Sequence, residues 1–253
     1  MREREPAICL RANDYSETSQ VLHFITRGAG AVRLLAKGSK RARSATGGAV
    51  DLLSEGDLVF IPSRSQGLGT LVEFAETVSH AGLRRDAGRL GRAMLMVELV
   101  GEFFAEDDPH PEVFDLLHHA LGRLGESDAP GPAVLAYFQW RLLHHAGLLG
   151  DLGHCVACGQ PIALAAGGKS PRVFFSSMEG GLVCGDCEGA LAEKVRVDAE
   201  TLSGLVALAD ARAGKGGALT DSQAHGVCRT LAYHASQQLG KPLKTARLAI
   251  PPR

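Results

Sequence analysis

Apolar residues recur with two different periods along the chain, and the first is the period of β-strands. Between residues 6 and 80, short runs of branched and aromatic residues are separated by Gly, Ser, Asn and Asp, which predicts strands joined by turns. The five runs are AICLRA, QVLHFIT, AVRLLAK, DLVFIP and GTLVEFAETV. In the third run, Val32, Leu34 and Ala36 alternate with Arg33 and Lys37. We therefore predict one core face and one partly cationic face.

Five strands in so short a segment predict a small barrel. An OB-fold has this strand number and commonly binds oligonucleotides on its outer face, but an SH3-like barrel fits the strand number as well. The residues alone leave both folds open. The glycines of GAGAVR, residues 28–33, precede a strand rather than a helix, so they predict a hairpin turn and not a dinucleotide site.

After residue 86 the apolar period becomes helical. Three helices are predicted before residue 147, because the periodic segments there are separated by proline breakers. Asp198 is predicted to cap a further helix that ends near Arg212, and Thr220 or Asp221 to cap one that ends at Leu239. No repeat of fixed period is visible. The second half of the chain is therefore predicted to be mainly α-helical.

Four of the six cysteines form two C-x2-C pairs separated by 25 residues. Such pairs place four thiolates where a tetrahedral zinc ion can bind them at about 2.3 Å. The intervening VFFSSMEGGLV predicts a hairpin, as in a zinc ribbon. Four sulfur ligands leave no open position for water, so we predict one structural Zn²⁺ per chain. The predicted ligands are Cys155, Cys158, Cys184 and Cys187.

Other interpretations of the cysteines are weaker. Four unrelated core cysteines would not explain the paired spacing, and redox chemistry needs only one C-x-x-C motif. His154 could replace a thiolate as ligand, but it is better explained as an exposed neighbour of Cys155. Cys9 and Cys228 are predicted to be small buried hydrophobes. A zinc deaminase would also need an H-x-E motif followed by P-C-x-x-C, and no proline directly precedes either C-x2-C pair.

Charge is strongly segregated although the formal net charge is only −1. No Asp or Glu occurs from Thr18 to Val50, whereas nine acidic residues lie between Glu98 and Asp128. Cations along a groove attract a phosphate backbone, so we predict a nucleic-acid surface in the basic stretch; the alternative is a solvated loop. Few aromatic residues are available there for stacking. The cations of this stretch are Arg27, Arg33, Lys37, Lys40, Arg41 and Arg43.

No motif predicts an enzyme. GGKS at residues 167–170 resembles the end of a phosphate loop, but Ala163 stands where that loop requires glycine. The histidine pairs at 118–119 and 144–145 are predicted to lie on helix surfaces, because adjacent helical residues point about 100° apart. The charged start of the chain and the lack of about 18 consecutive apolar residues predict a cytoplasmic protein without a membrane partner, and nucleic-acid binding would make it nucleoid-associated.

Three segments resemble the bacterial recombination mediator family RecO, in the family's order. They are AICLRANDYSETSQVLHFITRGAGAVRLLAKGSKRARS, then LLGDLGHCVACG with LVCGDC, and finally LAYHASQQLGKPLKTARL. The resemblance covers nearly the whole chain. It implies an α+β fold: an OB-fold DNA-binding domain over 1–80, a helical domain over 81–150, a zinc-binding insert over 151–190, and the rest of the helical domain with a basic tail over 191–253.

The resemblance also implies a function. The family binds single- and double-stranded DNA, anneals complementary strands, and works with RecR to load RecA in recombinational repair; RecF and the acidic tail of single-strand-binding protein are further expected partners. The six barrel cations match its DNA-binding positions. Lys241, Lys244 and Arg247 are expected to contact DNA or the acidic tail. The alternatives are a zinc-containing protein-interaction scaffold that binds no nucleic acid, and a zinc hydrolase, which the filled thiolate set disfavours.

Overall fold

The computed structural model describes residues 1–41, 44, 46–63, 67–106, 108–162, 172–212 and 218–251. The chain divides into two compact units, Met1–Glu126 (unit 1) and Ser127–Arg253 (unit 2). Arg43 and the GGKS segment lie outside the described residues. The division into units does not test the predicted segment limits at 80, 150 and 190, which stay predictions.

Unit 1 begins with a closed barrel of five strands in the order β1-β2-β3-β5-β4. The strands β3 and β5 pair in parallel, and the other neighbours are antiparallel. This barrel confirms the predicted OB-type architecture and the five predicted strands. The strands are β1 (Glu3–Asp14), β2 (Gln20–Thr26), β3 (Ala31–Ala36), β4 (Glu55–Ile61) and β5 (Gly69–Val78).

The alternation predicted from the sequence gives the barrel its core. In β3, Val32, Leu34 and Ala36 are buried, whereas Arg33 is exposed. Burial of such aliphatic and aromatic side chains is the main term that stabilises a closed barrel of this size. The buried core consists of Ala7, Cys9, Leu22, Phe24, Val32, Leu34, Ala36, Val50, Leu58, Phe60, Leu71 and Phe74.

Two helices complete unit 1. The Asp86 side chain caps the first helix by accepting a backbone N–H at 2.9 Å, and Pro111 begins the second, where its missing N–H costs no hydrogen bond. The first helix packs on β1, which is why β1 residues 7–10 are buried on both faces of the strand. The elements are a 3-10 turn (Ala81–Arg85), α1 (Ala87–Phe103) and α2 (Pro111–Gly125).

Unit 2 combines helices with a small antiparallel sheet of order β7-β6-β8. The longest helix, α5, packs against α3 and α4. Thr220 and Gln223 form a capping box at its start, and Gly240 ends it with φ 63°, as glycine often does. The elements are α3 (Gly131–His145), β6 (Val173–Ser176), β7 (Gly181–Cys184), a 3-10 turn (Gly185–Ala190), β8 (Val195–Arg196), α4 (Ala199–Arg212), α5 (Asp221–Leu239) and α6 (Ala246–Ala249).

Most local predictions are confirmed in these elements. The side chain of Asp198 accepts the Thr201 N–H at 2.8 Å at the start of α4, and Val227, Leu231 and Ala235 form a fully buried stripe on α5. Cys9 and Cys228, the two cysteines outside the C-x2-C pairs, are buried, as predicted. Within the described ranges, no helix combines the length and apolar character needed to cross a bilayer.

Candidate metal centre and nucleic-acid interface

The four paired cysteines of unit 2 converge on one point. The Sγ atoms of Cys155, Cys158, Cys184 and Cys187 all lie within 4.8 Å of one another. Those of Cys158 and Cys184 are 3.8 Å apart. A tetrahedral site with Zn–S bonds of about 2.3 Å has sulfur–sulfur distances of about 3.8 Å. Both the donor set and its spacing therefore fit zinc.

A tight turn positions the first cysteine pair. The backbone N–H of Cys155 donates to the carbonyl of Gln160 at 2.8 Å, and the N–H of Gly159 donates to the carbonyl of Cys155 at 2.8 Å. Gly159 has φ +72°, a conformation that residues with a Cβ atom rarely adopt. The turn therefore directs both thiols of this pair to the same side.

A hairpin positions the second pair. The strands β6 and β7 are antiparallel, with Val173 opposite Cys184, as the intervening sequence predicted. Cys184 ends β7 and Cys187 lies in the 3-10 turn that follows. The backbone N–H of Cys184 also donates to the Sγ atom of Cys155 at 3.4 Å. This bond ties the two pairs together directly.

The thiols of the cluster differ in acidity. Burial raises the pKa of Cys155, but backbone N–H groups of Cys184, Cys158 and Ala157 outweigh it and lower the pKa to about 6. Interactions with the neighbouring thiols raise the pKa of Cys187 to about 12. One thiolate therefore forms readily, while the cluster as a whole loses its protons only when a cation compensates the charge.

In unit 1, the loop after β3 and the turn after β1 border a cleft of about 300 Å³, here called the barrel cleft. Tyr15, Lys37 and Arg41 line it, and all three are exposed. Among the described residues, neither Lys37 nor Arg41 forms an ion pair. The barrel cleft thus offers two uncompensated positive charges beside an aromatic ring that is 66% exposed.

A buried glutamine anchors this loop to the barrel. The Gln20 side chain donates to the Val50 carbonyl at 3.1 Å and accepts from the Val50 N–H and the Ser39 hydroxyl, each at 3.0 Å. The Lys40 N–H donates to the carbonyl of Thr18 at 3.2 Å. These bonds fix the backbone on the barrel, while the side chains of the barrel cleft remain at the surface.

Two of the predicted DNA-contacting cations are held by carboxylates from the acidic segment. Arg27 donates to both carboxylate oxygens of Asp115 on α2, at 2.9 and 3.0 Å. Arg33 forms an ion pair with Glu106. The hydrogen bonds from Arg27 keep the pKa of Asp115 below its usual value. The six predicted cations therefore do not form one track of uncompensated charge.

A third predicted cation is also paired. Lys40 contacts the carboxylate of Asp14, and its side chain is 25% exposed, whereas Arg43 lies outside the described residues. Ion pairs at the surface contribute little stability and are screened by salt. A phosphate group can therefore replace such a carboxylate at small cost. Whether these cations contact DNA stays a prediction.

The predicted C-terminal cations belong to unit 2. Lys241, Lys244 and Arg247 are exposed and lie at or just before α6. They therefore belong to a different unit from the barrel cations. The expected contact with DNA or with an acidic tail also stays a prediction.

Sequence reasoning missed a buried carboxylate in unit 1. Glu55, at the start of β4, is 8% exposed and lies 2.6 Å from Nδ1 of His118 and 3.3 Å from Nε2 of His80. Burial raises the pKa of Glu55, but the two imidazoles bring it below its usual value. No sequence signal marks this group, because its members come from separate elements. The helix-surface position predicted for His118 is confirmed, since its side chain is 46% exposed although it contacts Glu55.

Two family models match the chain. The model described as "Recombination protein O N terminal" matches residues 1–80, which contain the barrel. The model described as "Recombination protein O C terminal" matches residues 84–247, which contain the helices and the four-cysteine cluster. The two models together account for nearly the whole chain.

Relatives from several bacteria agree with the family models. DNA repair protein RecO of Anaeromyxobacter dehalogenans strain 2CP-C is 35% identical over 210 residues, which are 82% of this chain and 79% of that protein. The Myxococcus xanthus DK1622 protein of the same name is 32% identical over 82% of this chain and 81% of its own length. The DNA repair protein RecO of Anaeromyxobacter sp. Fw109-5 is 31% identical over 95% of this chain and 92% of its own length. The resemblance noted in the sequence is thereby confirmed, and the chain belongs to the RecO family of DNA repair proteins.

Proposed function

We propose that this chain is a recombination mediator that binds single- and double-stranded DNA through unit 1 and anneals complementary strands, including strands coated by single-strand-binding protein. Together with RecR and RecF, it assists the loading of RecA at gaps in the cytoplasm, on the nucleoid. The chain makes and breaks no covalent bond in this role. Membership of the RecO family supports the proposal, and the barrel cleft is the observation that carries it.

The barrel cleft has the chemistry that a single strand requires. Lys37 and Arg41 can neutralise phosphates and release the counterions condensed on them, which gives affinity without sequence preference. Tyr15 offers an exposed ring on which a base of any identity can stack. Annealing needs such sequence-independent contacts, because the bases of both strands must remain free to find their complements.

The paired cations extend this contact. Arg27, Arg33 and Lys40 exchange their carboxylate partners for phosphates when a strand arrives, and Arg43 adds a further charge. In unit 2, Lys241, Lys244 and Arg247 receive DNA or the acidic tail of single-strand-binding protein. The exchange of partners makes binding through the paired cations weaker and more dependent on salt than binding in the barrel cleft.

The four cysteines hold one structural Zn²⁺. The ion supplies no catalysis, because four thiolates fill its coordination sphere. It would cross-link the turn around Cys155 to the hairpin that ends at Cys184, and its binding energy would contribute to the folding of the insert.

The test replaces the cations of the barrel cleft. The variant K37A/R41A should bind a single strand more weakly, and the slope of log affinity against log salt should decrease by about 1.4, since each lost phosphate contact removes about 0.7. Fluorescence anisotropy over a salt series measures both quantities. The control R11A/R84A removes two arginines of unit 1 that have carboxylate partners. Unchanged affinity and slope in K37A/R41A, or equal losses in the control, would refute the proposal.

A scaffold that recruits other proteins without touching nucleic acid is the second candidate. The three ion pairs of Arg27, Arg33 and Lys40 favour it, because they compensate half of the predicted cations. It predicts that the wild-type chain retains protein partners in a pull-down but shifts neither single-stranded nor double-stranded DNA in a gel.

A further inference from the structure

Unit 2 contains a second cleft, of about 350 Å³, between β8 and the helices α4 and α5; we call it the helical cleft. Its apolar lining includes the buried Phe175 and Val197. Val195 also lines it and is 45% exposed. A cleft with an apolar lining and a few polar groups is typical of a binding site.

The charged side chains that line the helical cleft are two arginines and one carboxylate, Asp198. Arg196 is exposed and Arg229 half-buried, and both line the cleft. Over the residues that the structure describes, no ion pair involves either guanidinium group. Tyr233, also in the lining, is 37% exposed.

Asp198 in the lining and Glu193, which contacts the lining residue Tyr233, both accept hydrogen bonds. Asp198 accepts the Thr201 N–H at the start of α4 at 2.8 Å. Glu193 accepts the Ser177 N–H at 2.7 Å and the Tyr233 hydroxyl at 3.2 Å. These bonds fix the positions of the two carboxylates. They also hold the tyrosine ring by its hydroxyl at the rim.

The helical cleft shares one tyrosine and two cations with the barrel cleft, and it differs by its apolar floor and by Asp198. Each cleft has one exposed tyrosine in its lining, together with two cations that have no ion pair among the described residues: Tyr15 with Lys37 and Arg41, and Tyr233 with Arg196 and Arg229. A flat ring next to positive charge is the combination by which proteins hold single-stranded nucleic acid without sequence preference. The apolar floor adds a surface for the face of a base.

We infer that the helical cleft is a second binding site for single-stranded nucleic acid, with a base against Tyr233 and Val195 and phosphates on Arg196 and Arg229. This inference rests on the proposed function, in which one chain brings two strands together. A strand in each cleft would place two strands on one chain. The helical cleft therefore serves annealing rather than simple binding.

The experiment counts strands per chain. Short oligothymidine of about six nucleotides, within the site size of one small binding domain, is titrated against the full chain, and bound strands are counted by sedimentation. We expect two strands per wild-type chain, one for R196A/R229A, and one for K37A/R41A. The control R172A, which removes an arginine paired with Glu188 in the same unit, should still bind two.

A matched pair of variants tests the ring itself. Tyr233→Phe keeps the stacking face and loses only the hydroxyl, so it should bind the second strand almost normally. Tyr233→Leu should weaken that binding roughly 5- to 150-fold, the range for loss of one base–aromatic stack. Annealing of complementary oligonucleotides, followed by energy transfer between dyes, should be slower for Tyr233→Leu and R196A/R229A than for the wild type, Tyr233→Phe and R172A. Unchanged zinc content and circular dichroism would confirm that these variants fold.

The outcomes separate the inference from the proposed function. If the wild-type chain bound one strand and K37A/R41A bound none, the proposed function would be supported and the inference of a second site would be wrong. No bound strand at all would overturn both. Two strands per chain in R196A/R229A would also overturn the second site. If R196A/R229A lost only the binding of a synthetic acidic peptide with a bulky apolar residue, the occupant would be a protein segment and the inference would be wrong.

Discussion

The metal centre of unit 2 and the cationic face of unit 1 were both predicted from residue type and spacing. The structure brings the predicted metal ligands together, but it pairs several of the predicted cations with carboxylates. The four cysteines converge within 4.8 Å. By contrast, three of the six barrel cations have carboxylate partners. The comparison shows that sequence predicts a ligand set better than it predicts available charge.

The difference has a physical cause. A C-x2-C pair is built by one turn, so its geometry depends on a few neighbouring bonds such as that from Gly159 to Cys155. The charge of Arg27 is available only if nothing negative folds beside it. Its partner Asp115 lies 88 residues away, and no local pattern reveals that contact.

The largest expected effect concerns the metal centre. Cys184→Ser should abolish the binding of one zinc ion per chain, and the insert should unfold, since structural zinc sites supply about 10–16 kcal/mol of apparent binding energy in small domains. Elemental analysis and limited proteolysis measure the two effects. The control Cys228→Ala removes a buried cysteine outside the cluster and should retain the metal. Zinc-free wild-type protein, freshly purified and reduced, would contradict the prediction.

A smaller effect is expected at Glu55, a charge whose partners no local pattern predicts. Glu55→Gln should lower the free energy of unfolding near pH 7 by about 1–3 kcal/mol, because it weakens hydrogen bonds to a charged group. The folded pKa of Glu55 lies below the unfolded one. Its contribution is therefore present above about pH 4.3, the unfolded pKa, and is lost as the pH falls through the folded pKa.

Urea unfolding over a pH series checks this prediction. The stability difference between wild type and Glu55→Gln should shrink at low pH. The control Glu73→Gln alters an exposed carboxylate on β5 and should change stability little. A difference that stays constant down to pH values below the folded pKa would show that the charge of Glu55 plays no part.

The smallest effect should come from freeing paired cations. The double variant D115N/E106Q removes the carboxylates that hold Arg27 and Arg33. We expect DNA affinity to rise about two- to five-fold at low salt, since exposed ion pairs are weak, and the gain should disappear at high salt. Anisotropy at two salt concentrations measures it. A loss of affinity would mean that the ion pairs orient the arginines for DNA rather than compete with it.

Local patterns predicted much of the fold. The strand alternation in β3, the cap at Asp198 and the stop at Gly240 appear in the structure as the residues indicated. The buried Glu55 could not be predicted. A carboxylate is normally an exposed residue, and only contact with two histidines from other elements makes its burial favourable.

The sequence by itself determined the five strands, the helices and their caps, and the two cysteine pairs, because each depends on interactions between residues near one another in the chain. Tertiary structure decided which of the barrel cations have a carboxylate partner. It also assembled the barrel cleft and the helical cleft from separate elements. Electrostatic interactions act through space, so the availability of a charge depends on the groups that folding brings beside it.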